Sequence, residues 1–234
     1  MARQPAKTTA RERKNPEKEF QNLKFSPMSA KNEAQKRYFN ALTNFKIVFG
    51  IGPAGTGKSA CAVSHSCAAL YHGKIEKIVI TRPLIAACEE EIGFLPGTVD
   101  EKAEPYLAGV RAIMDKVLGR STVDMFLKEG KIEAIPLAFC RGRTFDNSYI
   151  IVDEAQNLTP SQTLMILTRI GADSKIFLNG DAEQSDRPEG ESGLEDAIKR
   201  ISWMPDCKVV EFGLDDIVRS YLISDIIQSY RNKT

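Results

Sequence analysis

The 234-residue sequence predicts an α/β fold, one domain with a mostly parallel central sheet and helices on both faces. Three observations carry this. Short apolar runs at 47–49, 77–81, 148–152, 175–179 and 207–212 have the length and residue types of buried strands. Stretches of helical periodicity separate most of them. Polar or glycine-rich clusters follow four of the runs, at 52–59, 81–82, 153–156 and 180–184, and in open α/β sheets ligands gather at the carboxyl ends of strands.

Ahead of the first strand, 29–43 reads as a helix with Ala34, Tyr38, Phe39 and Leu42 on its apolar stripe and Ser29 as a candidate N-cap. Gln35 falls off that stripe. Its amide can donate and accept together against the N6 and N7 edge of adenine, and it is equally an ordinary surface glutamine.

The stretch 46–59 is a strand, a glycine loop and a helix start. Gly52, Gly57, Lys58 and Ser59 match the phosphate-loop pattern in the strand-to-helix context it requires. Glycines at 52, 55 and 57 let the backbone of Gly52, Pro53, Ala54, Gly55, Thr56 and Gly57 close around a phosphate, whose charge the N–H groups and the helix N-terminus bind. Lys58 adds a movable charge for the β and γ phosphates, and the Ser59 hydroxyl is a candidate ligand of Mg²⁺.

A helix over 58–72, rich in small residues, carries His65 and His72, which have no carboxylate or cysteine at ligand spacing and read as structural or surface residues. The strand 77–81 ends in Arg82 and Pro83. Residues 84–128 are less regular, an insertion or lid with an acidic run (Glu89, Glu90, Glu91) and a helix over 102–118. A strand over 133–138 leads to Arg141-Gly142-Arg143, two arginines suited to an anion contact.

The strand 148–152 delivers Asp153 and Glu154. Asp153 takes the place of the carboxylate that holds Mg²⁺ through its water shell, and Glu154 is poised to polarise the attacking water. Thr159 and Pro160 open a helix to Ile170. The strand 175–179 leads to Gln184, which either senses the γ-phosphate or orients the water. After a helix over 193–200 and the last strand, Asp215 caps a final helix to about Tyr230, where Arg219 is either a surface charge or an arginine finger.

Composition excludes several classes. With 42% hydrophobic and 27% charged residues the chain is ordinary globular material, its apolar runs fall short of a membrane span, and no secretory signal is present, so a cytosolic protein is expected. Cys61, Cys67, Cys88, Cys140 and Cys207 are odd in number without a C-x-x-C pair, which reads as reduced thiols. Residues 1–24 carry seven basic and three acidic side chains, a net of +4 that leaves −3 for the rest. Residues 1–28 thus form a basic arm, with the composition of a solubilising tail and of a flexible nucleic-acid contact alike.

In this order the motifs resemble the PhoH family of phosphate-loop ATPases, whose core is similar to the first RecA-like domain of superfamily 1 helicases. The resemblance spans about 30–231. It rests on the phosphate loop, Thr81-Arg82-Pro83, 93–97, 141–144, Ile151 to Asn157, 167–171, Gly180-Asp181 with Gln184 and Asp186, 192–194 and Asp216 to Arg219. It implies one RecA-like P-loop NTPase domain at 29–234, Mg²⁺-dependent hydrolysis of ATP, coupling to RNA or other single-stranded nucleic acid, and a ring of subunits, commonly a hexamer. It also implies Gln35 as the adenine reader and places an arginine like Arg219 in proteins that form rings. Cys88-Glu89 departs from the family's Gly-Glu, and Ser220 stands where a histidine is usual. No second RecA-like domain is expected within these 234 residues. The leading expectation is an ATPase with Lys58, Glu154, Gln184 and Arg219 at the reaction and Ser59 and Asp153 at the metal; a small-molecule kinase and a nucleotide-gated RNA-binding module with little turnover are the alternatives.

Overall fold

A computed structural model describes residues 25–83, 99–181, 184 and 192–218, with the backbone alone at 99–106. Residues 1–24, the acidic run at 89–91 and the 93–97 segment lie outside the described residues, as do Cys88, Asp186, Arg219, Ser220 and the expected final helix.

Six parallel strands form one sheet. In chain order they are β1 (Ile47–Ile51), β2 (Lys77–Thr81), β3 (Ile132–Ala134), β4 (Ser148–Val152), β5 (Lys175–Gly180) and β6 (Cys207–Glu211), and in space β3-β2-β4-β5-β1-β6. The register sets Ile47 opposite Ile176 and Cys207, and Ile78 opposite Tyr149 and Ile132. All strand ends therefore point one way, and the ends of β2, β4, β5 and β1 lie side by side.

The period of two along each strand divides the core. Val48, Ile78, Ile80, Ile151 and Phe177 face one layer, while Phe49, Val79, Ile150, Val152 and Leu178 face the other. Burial on both faces is why these strands read as unbroken apolar runs. Helices α1 (Glu33–Asn44), α2 (Lys58–Tyr71), α3 (Val99–Leu118) and α4 (Arg120–Lys128) cover the first face. Helices α5 (Pro160–Leu167) and α6 (Gly193–Ile201) cover the second.

Several bounds differ from the sequence reading, each for a local reason. Asn32, not Ser29, caps α1: its side-chain oxygen accepts the Gln35 N–H at 2.9 Å. Phe25 to Met28 pack on the domain rather than extending the arm; Phe25 stacks on Tyr71, and the Ser26 and Met28 N–H groups donate to Val117 O and Ser64 Oγ. Gly119, at φ 80°, breaks what would be one long helix and starts α4, which the sequence reading left unassigned. The expected strand at 133–138 stops at Ala134, because Pro136 has no N–H for the ladder and its φ of −54° starts a 3₁₀ turn at Leu137–Cys140. Helix α5 ends at Leu167, three residues short of Ile170, which instead bridges Phe145. Thr159 caps it with a full capping box to Gln162.

His65 is a packing residue. Its ring stacks on Tyr149 and meets Phe177 edge-on, and burial, with Lys175 and Lys74 nearby, pushes its pKa down from 6.5 to about 4. Cys61, Cys67, Cys140 and Cys207 are buried free thiols. Among the described residues no helix is long and apolar enough to cross a membrane.

Candidate nucleotide site at the carboxyl edge of the sheet

A cleft of about 440 Å³ opens where β1, β4 and β5 end. Its floor is the 52–57 loop, and two glycines there are required by space as well as conformation. Gly52 has φ 136°, and a Cβ on it would lie 2.2 Å from Phe212 O. Gly57 has φ 86° and would place a Cβ 2.7 Å from Gln35 Nε2. Non-glycine residues disfavour both conformations. The loop is tied down by Gly52 N–H donating to Gly180 O at 3.1 Å and Ala54 N–H to Asp181 Oδ2 at 3.2 Å.

Lys58, the first residue of α2, is nearly buried and reaches over the loop. Its Nζ donates to Gly52 O at 2.6 Å and Pro53 O at 2.8 Å. Burial lowers its pKa, opposed by the carboxylates of Asp181, Asp153 and Glu154. Ser59 Oγ donates to Asp153 Oδ1 at 2.6 Å, bringing the two predicted metal-binding side chains together across α2 and β4. Burial raises the Asp153 pKa, the Ser59 hydrogen bond lowers it, and the Glu154 charge raises it again. Two hard oxygen donors side by side, within reach of an ammonium group, fit Mg²⁺ in the manner of a metal held by few protein ligands and substrate phosphates. A buried polar atom at the cleft wall, Asn179 Nδ2, has no protein partner, as a site built around a polar ligand would leave it.

Glu154 stands next to Asp153 but points elsewhere, because its backbone is left-handed at φ 54°. It is exposed at the cleft wall and accepts a 2.7 Å hydrogen bond from Gln156 Nε2. Gln156 Oε1 in turn accepts the Asp181 N–H at 3.1 Å, and Gln156 O accepts Ser192 Oγ at 3.2 Å. Gln156 is thus the buried link between the ends of β4 and β5. The sequence reading quoted it only within a motif, and an amide two positions after the carboxylate expected to activate water was the available signal. Asn179 is held from beneath by the buried Tyr38 hydroxyl, which donates to its Oδ1.

The remaining predicted residues have separate fates. Pro53, Ala54, Gly55 and Thr56 form the loop, and Gln184 is exposed on the cleft wall. Gln35 lies nowhere near the surface: it is fully buried, its Nε2 donates to Thr56 O at 2.9 Å and its Oε1 accepts the Lys31 N–H at 2.8 Å. In this arrangement it braces the phosphate loop. Arg219 is outside the described residues, but its neighbour Val218 lines the cleft and donates its N–H to Gly55 O at 3.0 Å. The two arginines around Gly142 diverge. Arg143 forks onto Glu133 at 2.8 and 2.9 Å and lies over the Phe145 ring, a structural clamp that holds the Glu133 carboxyl below its ordinary range. Arg141 is exposed at the same edge.

Comparison with known proteins places the chain. Residues 27–231 match the sequence profile described as PhoH-like protein. The PhoH-like protein of Bacillus subtilis is 42% identical over 210 residues, 89% of this chain and 66% of that one. Protein PhoH of Escherichia coli is 40% identical over 208 residues, 88% of this chain and 58% of that one. The chain therefore spans roughly three-fifths of the length of these relatives. The large terminase of a thermophilic bacteriophage shares the fold at a TM-score of 0.50 and 12% identity, covering 87% of this chain and 50% of its own. The six parallel strands with helices on both faces make the expected α/β fold, which the terminase shares, and the chain belongs to the PhoH-like protein family.

Proposed function

We propose that the chain is a Mg²⁺-dependent ATPase of PhoH type, acting in the cytosol, whose turnover is coupled to RNA. The observation that supports it best is the convergence of Lys58, the Ser59–Asp153 pair and Glu154 on one cleft, where Asp153 accepts from Ser59 and Glu154 from Gln156.

In this reading the loop N–H groups and Lys58 hold the β and γ phosphates, Lys58 exchanging its loop carbonyls for phosphate oxygens. Ser59 and Asp153 would hold Mg²⁺, which would offset the negative charge of the bound phosphates. Glu154, aimed by Gln156, accepts a proton from a water as that water's oxygen bonds the γ phosphorus; the bond to the β–γ bridging oxygen breaks, and ADP leaves with that electron pair. Gln184 contacts the γ phosphate or the water. Arg219 reaches the nucleotide of a neighbouring subunit in a ring, commonly a hexamer. Adenine rather than guanine is read by Gln35, whose amide would have to leave Thr56 to do so. A basic arm before residue 25 supports the RNA partner.

Phosphate release, measured with and without Mg²⁺ and with and without RNA, tests the reading. Mg²⁺-dependent release that rises with RNA is expected. Binding of ATP without release in any condition would leave a nucleotide-gated module, and release only onto a small-molecule acceptor would leave a kinase.

A further inference from the structure

A second hollow, of about 360 Å³, adjoins the nucleotide cleft on the same sheet edge. Its walls come from three places in the chain: Pro83 after β2, Pro136 and Leu137 after β3, and Gln162 and Met165 on α5. Two arginines complete it. Arg82 lines this hollow and the nucleotide cleft alike, so they share a wall. Arg141 is exposed at the rim, and no ion pair engages it among the described residues, whereas Arg143, two positions on, is clamped to Glu133.

The surface around the hollow is unusual for this protein. Among the described residues three large hydrophobic side chains are strongly exposed, and two of them are sequence neighbours of residues that line the hollow. Phe139, 60% exposed, is on the 3₁₀ turn that supplies Leu137, and Leu164, 64% exposed, lies on α5 between Gln162 and Met165. An apolar hollow with an exposed aromatic ring and an unpaired guanidinium suits a ligand that has both a flat apolar face and an anionic backbone. A wholly apolar peptide would bury Arg141 without a counter-charge, which is costly. A free inorganic anion would leave the apolar walls and Phe139 unused. A single-stranded nucleic acid satisfies both, with a base stacked on the ring and a phosphate on the arginine.

We propose that this hollow, with Arg141 in its lining and the exposed Phe139 next to the lining residue Ala138, binds single-stranded nucleic acid, and that Arg82 in the shared wall couples its occupancy to the nucleotide cleft. The proposal deepens the reading of the chain as a nucleic-acid-coupled ATPase and rests on it. It also assigns the coupling to the folded domain rather than to the basic arm alone.

The test uses the full chain, fluorescein-labelled oligo(U) and oligo(dT) of about twelve nucleotides, and anisotropy across a salt series. Phe139→Ala and Arg141→Ala are both surface changes outside the nucleotide cleft. Each is expected to weaken oligo(U) binding by about fivefold or more. Arg141→Ala should also flatten the salt dependence by about one counterion. Basal phosphate release without nucleic acid should stay at the wild-type rate, while its stimulation falls with the lost affinity. Oligo(dT) bound as well as oligo(U), and weakened by the same variants, supports the site with a ligand read by stacking and phosphate; preference for oligo(U) supports it with RNA as the ligand. Wild-type affinity in both variants overturns the proposal and leaves the ATPase reading standing. Failure of the wild-type protein to bind either strand overturns the proposal and the nucleic-acid coupling together, and basal phosphate release in the same samples tests the hydrolysis separately.

Discussion

Replacing Gln156 with Glu is nearly isosteric and separates aiming from chemistry. The wild-type amide donates to Glu154 at 2.7 Å and accepts from the Asp181 N–H at 3.1 Å. Gln156→Glu keeps an acceptor for Asp181 and turns the donor into a carboxylate facing a carboxylate. Two unit charges at that spacing repel by about 6 kcal/mol at an effective dielectric constant near 20. Glu154 is exposed, so screening by water leaves only a part of this. A net repulsion of ~1.4–2.8 kcal/mol, equal to about one to two pKa units on an ordinary carboxylate value near 4.3, is the working figure, and the pair then holds a proton only up to about pH 6. Turnover should fall about tenfold to a hundredfold at pH 7, because the hydrogen bond that aims Glu154 is lost, with KM little changed, and the acid limb of the pH profile should move upward. The assay is steady-state phosphate release from pH 6 to 9, beside a thermal melt to show the fold is kept. A Gln156→Glu protein with wild-type kcat and an unshifted pH profile would refute the aiming role.

Three further outcomes follow from the same structure. His65 is held neutral in the fold by burial, with a pKa near 4 against 6.5, so the unfolded chain takes its proton first; its contribution is full above pH 6.5 and lost as pH falls toward 4, by up to about 3 kcal/mol, and His65→Phe should flatten that part of the denaturant-derived stability profile, whereas an unchanged slope would contradict it. Gly52→Ala must fit a Cβ 2.2 Å from Phe212 O at a φ of 136°, so chemical denaturation should show a loss of about 2–5 kcal/mol, and a loss near zero would show the loop is not fixed as described. Arg219→Ala should keep nucleotide binding and lose most hydrolysis, and mixing it with Glu154→Gln should restore some activity at interfaces that pair an intact Glu154 with an intact Arg219; a dead mixture with demonstrably exchanging subunits would refute action between subunits.

What the sequence disclosed and what it hid have physical causes. Strands β2 and β4 were legible to the residue, because burial on both faces makes them continuously apolar and a polar cluster, at 81–82 and at 153–156, marks where each one ends. Ser59 and Asp153 were each assigned to one metal from residue type and position, and the direct hydrogen bond between them was not foreseen. The end of the 102–118 helix before Gly119 was legible, but α4 beyond it was not, because nine residues give too few turns for a helical period to stand out. Gln35 was misjudged as off the buried stripe because periodicity scores apolar residues, and a polar side chain buried for the sake of two backbone hydrogen bonds has no such signature. The same blindness treated Arg141 and Arg143 alike, although Glu133, ten residues away from Arg143, decides between them.

The central claim, that this cleft binds ATP with one set of groups and activates water with another, is tested most directly by Glu154→Gln. The Glu154 carboxylate hydrogen-bonds Gln156, whereas Lys58 bonds the loop and Ser59 bonds Asp153, so the variant should bind a fluorescent ATP analogue as the wild-type protein does, in the same Mg²⁺-dependent manner, while phosphate release falls by about a hundredfold or more. A Glu154→Gln protein that still hydrolyses ATP at the wild-type rate would contradict the account.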